Sequence, residues 1–165
     1  MTKTPEGYHT ITPYLVVRDG ERAIEFYKKV FGAKERFRME GPDNKSIGHV
    51  ELTIGDSVFM LTEESPYMKC LSPESVGGSP VSLYVYVDDV DSVFNIAISE
   101  GATVLNPVTD MVYGDRTGYI RDPFGHLWSI ATCIKDLSPA QAIEAGKATF
   151  KQLLGKNTEI HTMVK

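Results

Sequence analysis

Apolar residues recur at two periods along this chain, and the two periods alternate. From Thr10 to Val17 the spacing is two, with Thr12, Tyr14 and Val16 on one face and Leu15 and Val17 on the other, which predicts a strand. Asp19 then stands where a helix N-cap is needed. Ala23, Phe26, Tyr27, Val30 and Phe31 follow as a helical stripe, and Gly32 ends it. Alternation returns at about 34–40, 46–54 and 57–63, with turn signals at Gly41-Pro42-Asp43-Asn44 and Gly55-Asp56. The order is strand, helix and three strands.

The same order then repeats. A strand is predicted over 81–87, and a helix capped by Asp88 or Asp89 turns Val90, Val93, Phe94, Ala97 and Ile98 inward. Strands follow near 103–105, 116–121 and 127–133. The echo is visible residue by residue: Gly48-His49 through Gly55-Asp56 to Leu61-Thr62 reappears, at an offset of 70, as Gly118-Tyr119 through Gly125-His126 to Ala131-Thr132. A unit of this size cannot close a core alone, so the two copies are expected to pack together around a shared cavity.

These patterns divide the chain into a first βαβββ module (1–64), a linker or lid loop rich in Ser, Pro and Gly (65–80), a second βαβββ module (81–135), and a C-terminal helix and tail (136–165). In the tail, Ser138-Pro139 with Gln141 reads as a capping box, and Ile143, Phe150, Leu153 and Leu154 share a face before Gly155 stops the helix. The expected fold class is α+β, two βαβββ repeats forming a curved mixed sheet around a cavity.

Composition narrows the partners. With 165 residues, 42% apolar and 24% charged, the chain has material for one ordinary core. A net charge of -5 argues against nucleic acid and against an anionic membrane, since no basic patch neutralises phosphates. No run approaches the ~18 apolar residues of a membrane span, and the polar start Met1-Thr2-Lys3-Thr4-Pro5-Glu6 lacks the apolar stretch of a secretory signal. Two cysteines, Cys70 and Cys133, fit a reducing, cytoplasmic setting.

Val17-Arg18-Asp19 leading to Ala23-Ile24-Glu25-Phe26-Tyr27 and Phe31-Gly32-Ala33, together with Arg121-Asp122-Pro123-Phe124-Gly125-His126, resembles the vicinal oxygen chelate superfamily. That superfamily holds glyoxalase I, the bleomycin- and fosfomycin-resistance proteins and the extradiol dioxygenases. His49-Val50-Glu51-Leu52, Tyr113-Gly114-Asp115-Arg116 and Gly125-His126-Leu127-Trp128-Ser129-Ile130-Ala131-Thr132 make the chain most similar to its PhnB-like branch. The resemblance covers residues 10–134 and implies the glyoxalase/bleomycin-resistance fold. It does not fix an activity, because one scaffold hosts isomerases, lyases, dioxygenases and drug-binding proteins.

In the metal enzymes, His, Glu or Gln ligands enter the cavity from the first and fourth strands of each repeat. Carried over, those positions fall on Thr12 and Ser82, on Ser129, and on Met60, or Phe59 if the register slips by one. None of these side chains is a good primary ligand for a divalent ion. The resemblance therefore implies a cavity without the usual metal cage: no cofactor is expected, and a divalent metal is disfavoured.

Other chemistry-bearing residues have competing readings. His49 and Glu51 share a strand face and would serve as metal ligands or an acid/base pair, but a surface-facing polar pair flanking Val50 and Leu52 is the favoured reading. Arg116 either clamps an anionic ligand or is occupied by Asp115 or another acid. His126 is expected to be structural within its Asp-Pro-x-Gly turn, Trp128 to face the helices as core, and His9 to be uninvolved. The resulting expectation is a homodimer whose cavity, lined by Thr12, Tyr14, Met60, Ser82, Tyr84, Tyr86, Arg116 and Ser129, holds a small, partly aromatic molecule. The rival is a lyase, isomerase or dioxygenase using a metal held by His49, Glu51, His9 or Cys133.

Overall fold

The structure is a computed structural model that describes residues 4–43 and 45–149. β1 (Tyr14–Val17), α1 (Gly20–Phe31), β2 (Lys34–Glu40), β3 (Ile47–Ile54) and β4 (Ser57–Glu63) make the first module. A linker carrying the short α2 (Pro73–Val76) leads to β5 (Ser82–Tyr86), α3 (Val90–Ser99), β6 (Thr103–Asp110), β7 (Asp115–Arg121) and β8 (Leu127–Cys133). The alternating periods thus resolve into the expected α+β order. Helix α1 starts where the Asp19 carboxylate accepts from the Arg22 amide at 3.1 Å and stops at Gly32, whose φ of 63° suits a residue without a Cβ.

Each module forms its own four-stranded mixed sheet, in the orders β1-β4-β3-β2 and β5-β8-β7-β6. The first strand of each lies parallel to the last, and the remaining pairs are antiparallel. The single curved sheet expected from the repeat is therefore two sheets side by side, joined by side chains. His126 donates from Nε2 to the Val16 carbonyl across the seam at 3.0 Å.

One apolar cluster runs through both modules on the helix-covered side. Its centre is aromatic: the Tyr27 ring of α1 lies 5.5 Å from both Phe59 of β4 and Trp128 of β8. Burying rings of this size supplies much of the driving force, at about 25 cal/mol per Å² of apolar surface. The Tyr27 hydroxyl donates to Asp122 Oδ2 at 2.8 Å, and the Trp128 indole donates to the same atom at 2.9 Å. Asp122 Oδ1 accepts the Phe124 and His126 amides, each at 2.9 Å. One buried carboxylate thereby ties α1 of the first module to the β7–β8 turn of the second, and Trp128 and His126 take the structural roles expected of them.

Two boundaries differ markedly from the sequence reading. β1 begins at Tyr14 rather than near residue 10, because Pro13 has no N–H to give a ladder; its carbonyl accepts from the Met60 amide at 2.8 Å. β6 runs to Asp110, well past the expected 105, accommodating Pro107 in an irregular pairing with β7. The linker is pinned: Glu64 accepts from Ser72, Ser75 and Arg18. In the tail, residues 139–149 are helical and Ser138 and Gln141 form the expected reciprocal cap, but Ile143 is exposed. Phe150, Leu153, Leu154 and Gly155 lie outside the described residues.

Candidate functional site

In each sheet the helices cover one face and leave the other open, so strand alternation decides which side chains are available. On the second sheet, β5 turns Leu83 and Val85 toward the apolar cluster and Ser82, Tyr84 and Tyr86 to the open face. Tyr84 pairs in register with Ser129, and Ser82 Oγ lies 3.5 Å from Ser129 Oγ. The Tyr84 and Tyr86 hydroxyls both donate to Asp115 Oδ2, at 2.8 and 3.0 Å, and their rings sit 5.2 Å apart at a 51° tilt.

Asp115 is buried at the start of β7 and orients both phenols. Burial, then the Asp115 hydrogen bond, raises the Tyr84 phenol far above its ordinary range; for Tyr86 the Asp115 hydrogen bond comes first. Both therefore stay protonated and neutral near neutral pH. Beside them is a cavity of about 260 Å³ lined by Tyr84, Asn106, Met111, Tyr113, Tyr119 and Ser129. A second cavity, about 290 Å³ and mostly apolar, opens at the seam, lined by Pro13, Ile54 and Phe59 from the first module and by Leu83 to Tyr86 and Trp128 from the second. These are rings held in place next to space for an aromatic guest.

The first sheet's open face has different chemistry. Tyr14 reaches across β4 so that its hydroxyl lies 3.1 Å from His49 Nδ1. His49 Nε2 is 3.7 Å from Glu51 Oε1, and Arg36 approaches Glu51 Oε2 at 3.4 Å. The Arg36 guanidinium in turn covers the Tyr8 ring at 4.8 Å. The Tyr8 phenol is raised, chiefly by interaction with the Glu51 carboxylate. Met60 lies between Tyr14 and Glu51 in register, while Phe59 points into the core, so the open position on β4 is Met60.

The eight expected lining residues thus separate. Ser82, Tyr84, Tyr86 and Ser129 come together on the second sheet, and Tyr14 and Met60 on the first. Among the described residues no hydrogen bond or ring contact joins the two groups. Thr12 lies in the loop before β1, its hydroxyl donating to the His9 carbonyl at 3.2 Å. Arg116 is turned to the helix side, held by Asp91 of α3 and Asp110 of β6 at 2.7–2.8 Å; neighbouring strand residues face opposite ways, so Asp115 is not its partner. His49 and Glu51 are no exposed pair either, since Glu51 is only 4% exposed. Sequence reasoning missed Asp115 as the phenols' acceptor. The signal was its alternation with Thr117 and Tyr119 on β7.

A divalent metal, implied for the superfamily's enzymes, finds a poor donor set among the described residues. Among the described residues no three His, Cys, Asp or Glu side chains gather. His49 and Glu51 are two, His9 points at Asp56 from 3.9 Å, and Cys133 is across the molecule beside Asp115 on the second sheet. A cage needs three or four such donors converging.

Comparison with known proteins agrees with this architecture. A family model described as the Glyoxalase/Bleomycin resistance protein/Dioxygenase superfamily matches residues 7–130. An uncharacterized protein of Mycobacterium tuberculosis H37Rv is 42% identical over 131 residues, 78% of this chain and 76% of the relative. The crystal structure of TioX from Micromonospora sp. ML1 is similar at 27% identity with a TM-score of 0.58, covering 76% of this chain and 98% of TioX. A PhnB protein from Bacillus cereus shares the fold at 20% identity and a TM-score of 0.59, covering 75% of this chain and 99% of its own.

Proposed function

The chain belongs to the glyoxalase/bleomycin resistance protein/dioxygenase superfamily, and on that footing we propose that it binds a small, partly aromatic molecule without a metal, on the open face of its second sheet. The observation that carries this reading is the pair of phenols locked by one buried carboxylate beside a cavity of about 260 Å³. Preordered rings offer stacking area at low entropy cost, and the Ser82 and Ser129 hydroxyls offer orienting hydrogen bonds. Holding both phenols neutral suits an uncharged or weakly polar guest. The resemblance of His49-Leu52, Tyr113-Arg116 and Gly125-Thr132 supports a PhnB-like branch within the superfamily.

In this reading the protein works as a homodimer with the 65–80 linker near the interface or the cavity mouth, where Tyr67 is 98% and Met68 76% exposed. Free thiols at Cys70 and Cys133 support a cytoplasmic setting. No helix among the described residues is long and apolar enough to cross a membrane.

A thermal-shift screen of small aromatic compounds tests the binding reading. A ligand at about 100 times its dissociation constant stabilises by roughly 2.7 kcal/mol. Hits should weaken when Tyr84 or Tyr86 is changed to alanine; hits that bind both variants as well as the parent would refute the site. Sedimentation at several concentrations tests the dimer, and a concentration-independent monomer mass would refute it.

A further inference from the structure

The six arginines of the chain fall into two groups. Arg18, Arg36, Arg38 and Arg116 each have a carboxylate within ion-pairing reach, those of Glu64, Glu51, Glu35 and Asp91 respectively. Arg22 of α1 and Arg121 of β7 pair with no carboxylate among the described residues, and they are the two arginines that line a cavity of about 490 Å³. That cavity lies between the start of α1, α2, the turn after α3 and the β7–β8 turn, and it shares no lining residue with the two cavities beside Tyr84. The Arg22 guanidinium sits over the Phe124 ring, 5.8 Å from its centroid, and Phe124 belongs to the turn that Arg121 leads into. Two uncompensated cations, one from each module, thus flank one turn and one cavity, and such a place draws an anion.

We propose that this cavity binds a small hydroxylated phosphate monoester, held between the two modules by Arg22 and Arg121. Charge and valence select the class. The three phosphoryl oxygens can accept from two guanidinium forks at once, whereas a single fork already saturates the two oxygens of a carboxylate. Glu74 also lines the cavity, its Oε2 lying 3.9 Å from Arg18 Nε. Its charge opposes a second phosphate, and its oxygens accept from hydroxyl groups. Asp122 adds no such charge to the cavity, because its two oxygens already accept from Tyr27, Trp128, Phe124 and His126. Thr103 and the backbone of Gly77 and Gly78 line it too, so the body that fits beside the phosphate is polar rather than aromatic. The site uses none of the residues of the Tyr84 face, so it stands or falls independently of the function proposed above.

Calorimetric titration of the full-length protein with glucose 6-phosphate and with glycerol 3-phosphate tests this. At least one of the two should bind saturably. Gluconate, which carries a carboxylate instead, and glucose, which carries no charge, should each bind at least tenfold more weakly, and inorganic phosphate about fivefold more weakly for want of a hydroxylated body. Arg22→Gln and Arg121→Gln should each weaken the phosphate ester about tenfold or more, and Arg22→Lys, which keeps the charge and loses the fork, about fivefold. Lys29→Gln removes a cation already paired with Glu100 and should leave the affinity unchanged, as should Tyr84→Ala. Circular dichroism shows that each variant is folded. The proposal is overturned if neither ester saturates at millimolar concentration, if gluconate, glucose or inorganic phosphate binds as tightly, if folded Arg22 and Arg121 variants bind as the parent does, or if Lys29→Gln weakens binding as much as they do.

Discussion

The two modules share a plan and differ at the turn joining their last two strands. In the first, Ile54 pairs with Ser57 around the two-residue turn Gly55-Asp56, and Asp56 is exposed. In the second, Arg121 pairs with Leu127 around five residues, Asp122 to His126, and Asp122 is buried under four hydrogen bonds. The longer turn changes which residues stand opposite one another. Met60 faces Glu51 in the first module, whereas Ser129 faces Tyr119 in the second. A duplicated strand can thus keep its pattern while the residues on its open face are reassigned, and two copies of one architecture come to display an ionic face and a phenolic one.

The sharpest way to break this comparison is at the turns. Asp122→Ala strands the Tyr27 hydroxyl, the Trp128 indole and two amides, and should cost about 3–5 kcal/mol in denaturant unfolding. Asp56→Ala, in the matching turn, should stay within about 0.5 kcal/mol. Equal effects would mean that the second turn is no special tie.

The open faces come next. Tyr84→Ala should weaken ligand binding by about 1–3 kcal/mol, whereas Trp128→Ala should leave affinity nearly unchanged and lower stability by roughly 3–5 kcal/mol. Tyr14→Ala, the counterpart of Tyr84 in the first module, should barely affect that ligand. Paired calorimetry and denaturation would expose a reversed assignment of strand faces.

A smaller effect is expected at low pH in the linker. Hydrogen bonds from Ser75 and Ser72 depress Glu64 from the ordinary 4.5 to about 2. A depressed carboxyl stabilises in its ionised form, so its contribution is intact above about 4.5 and is lost as pH falls through about 2. Pepsin cleavage near Tyr67 and Leu71 should therefore accelerate across that interval, and Glu64→Gln should already be fast at its upper end. The smallest expected effect is from metal: Zn2+ or Ni2+ at tens of micromolar should not raise Tm. A rise of several degrees abolished by changing His49 or Glu51 would favour the metal-dependent rival.

How far these features could be read from the chain alone depends on the range of the interaction. Strand and helix order follow from local alternation, so the α+β plan, the Asp19 cap and the shared face of Ser82, Tyr84 and Tyr86 emerge from residues a few positions apart, whereas the choice of Asp89 over Asp88 as the second cap and the place of Ser129 beside Tyr84 come from the structure. Placing Met60 rather than Phe59 on the open face needed a register, which the pairing of Tyr14 with Met60 supplies and a one-residue ambiguity in the repeat concealed. Asp115 and Arg116 were linked by adjacency when the pleat sends them to opposite sides. The depth of Glu51 depends on Tyr8, Arg36 and β2 meeting above it, and no local pattern encodes that.

The bond from Tyr27 to Asp122 spans 95 residues, and that separation has a meaning in time as well as space. A ribosome extending the chain at roughly 5–20 residues per second makes the acceptor about 5–20 s after its donor. Throughout that interval the nascent first module carries the apolar side of α1 without its seam partners Phe124 and Trp128. Such long-range closure slows folding and leaves apolar surface open on the half-made chain, so the completed second module, and not the first alone, is what seals the core.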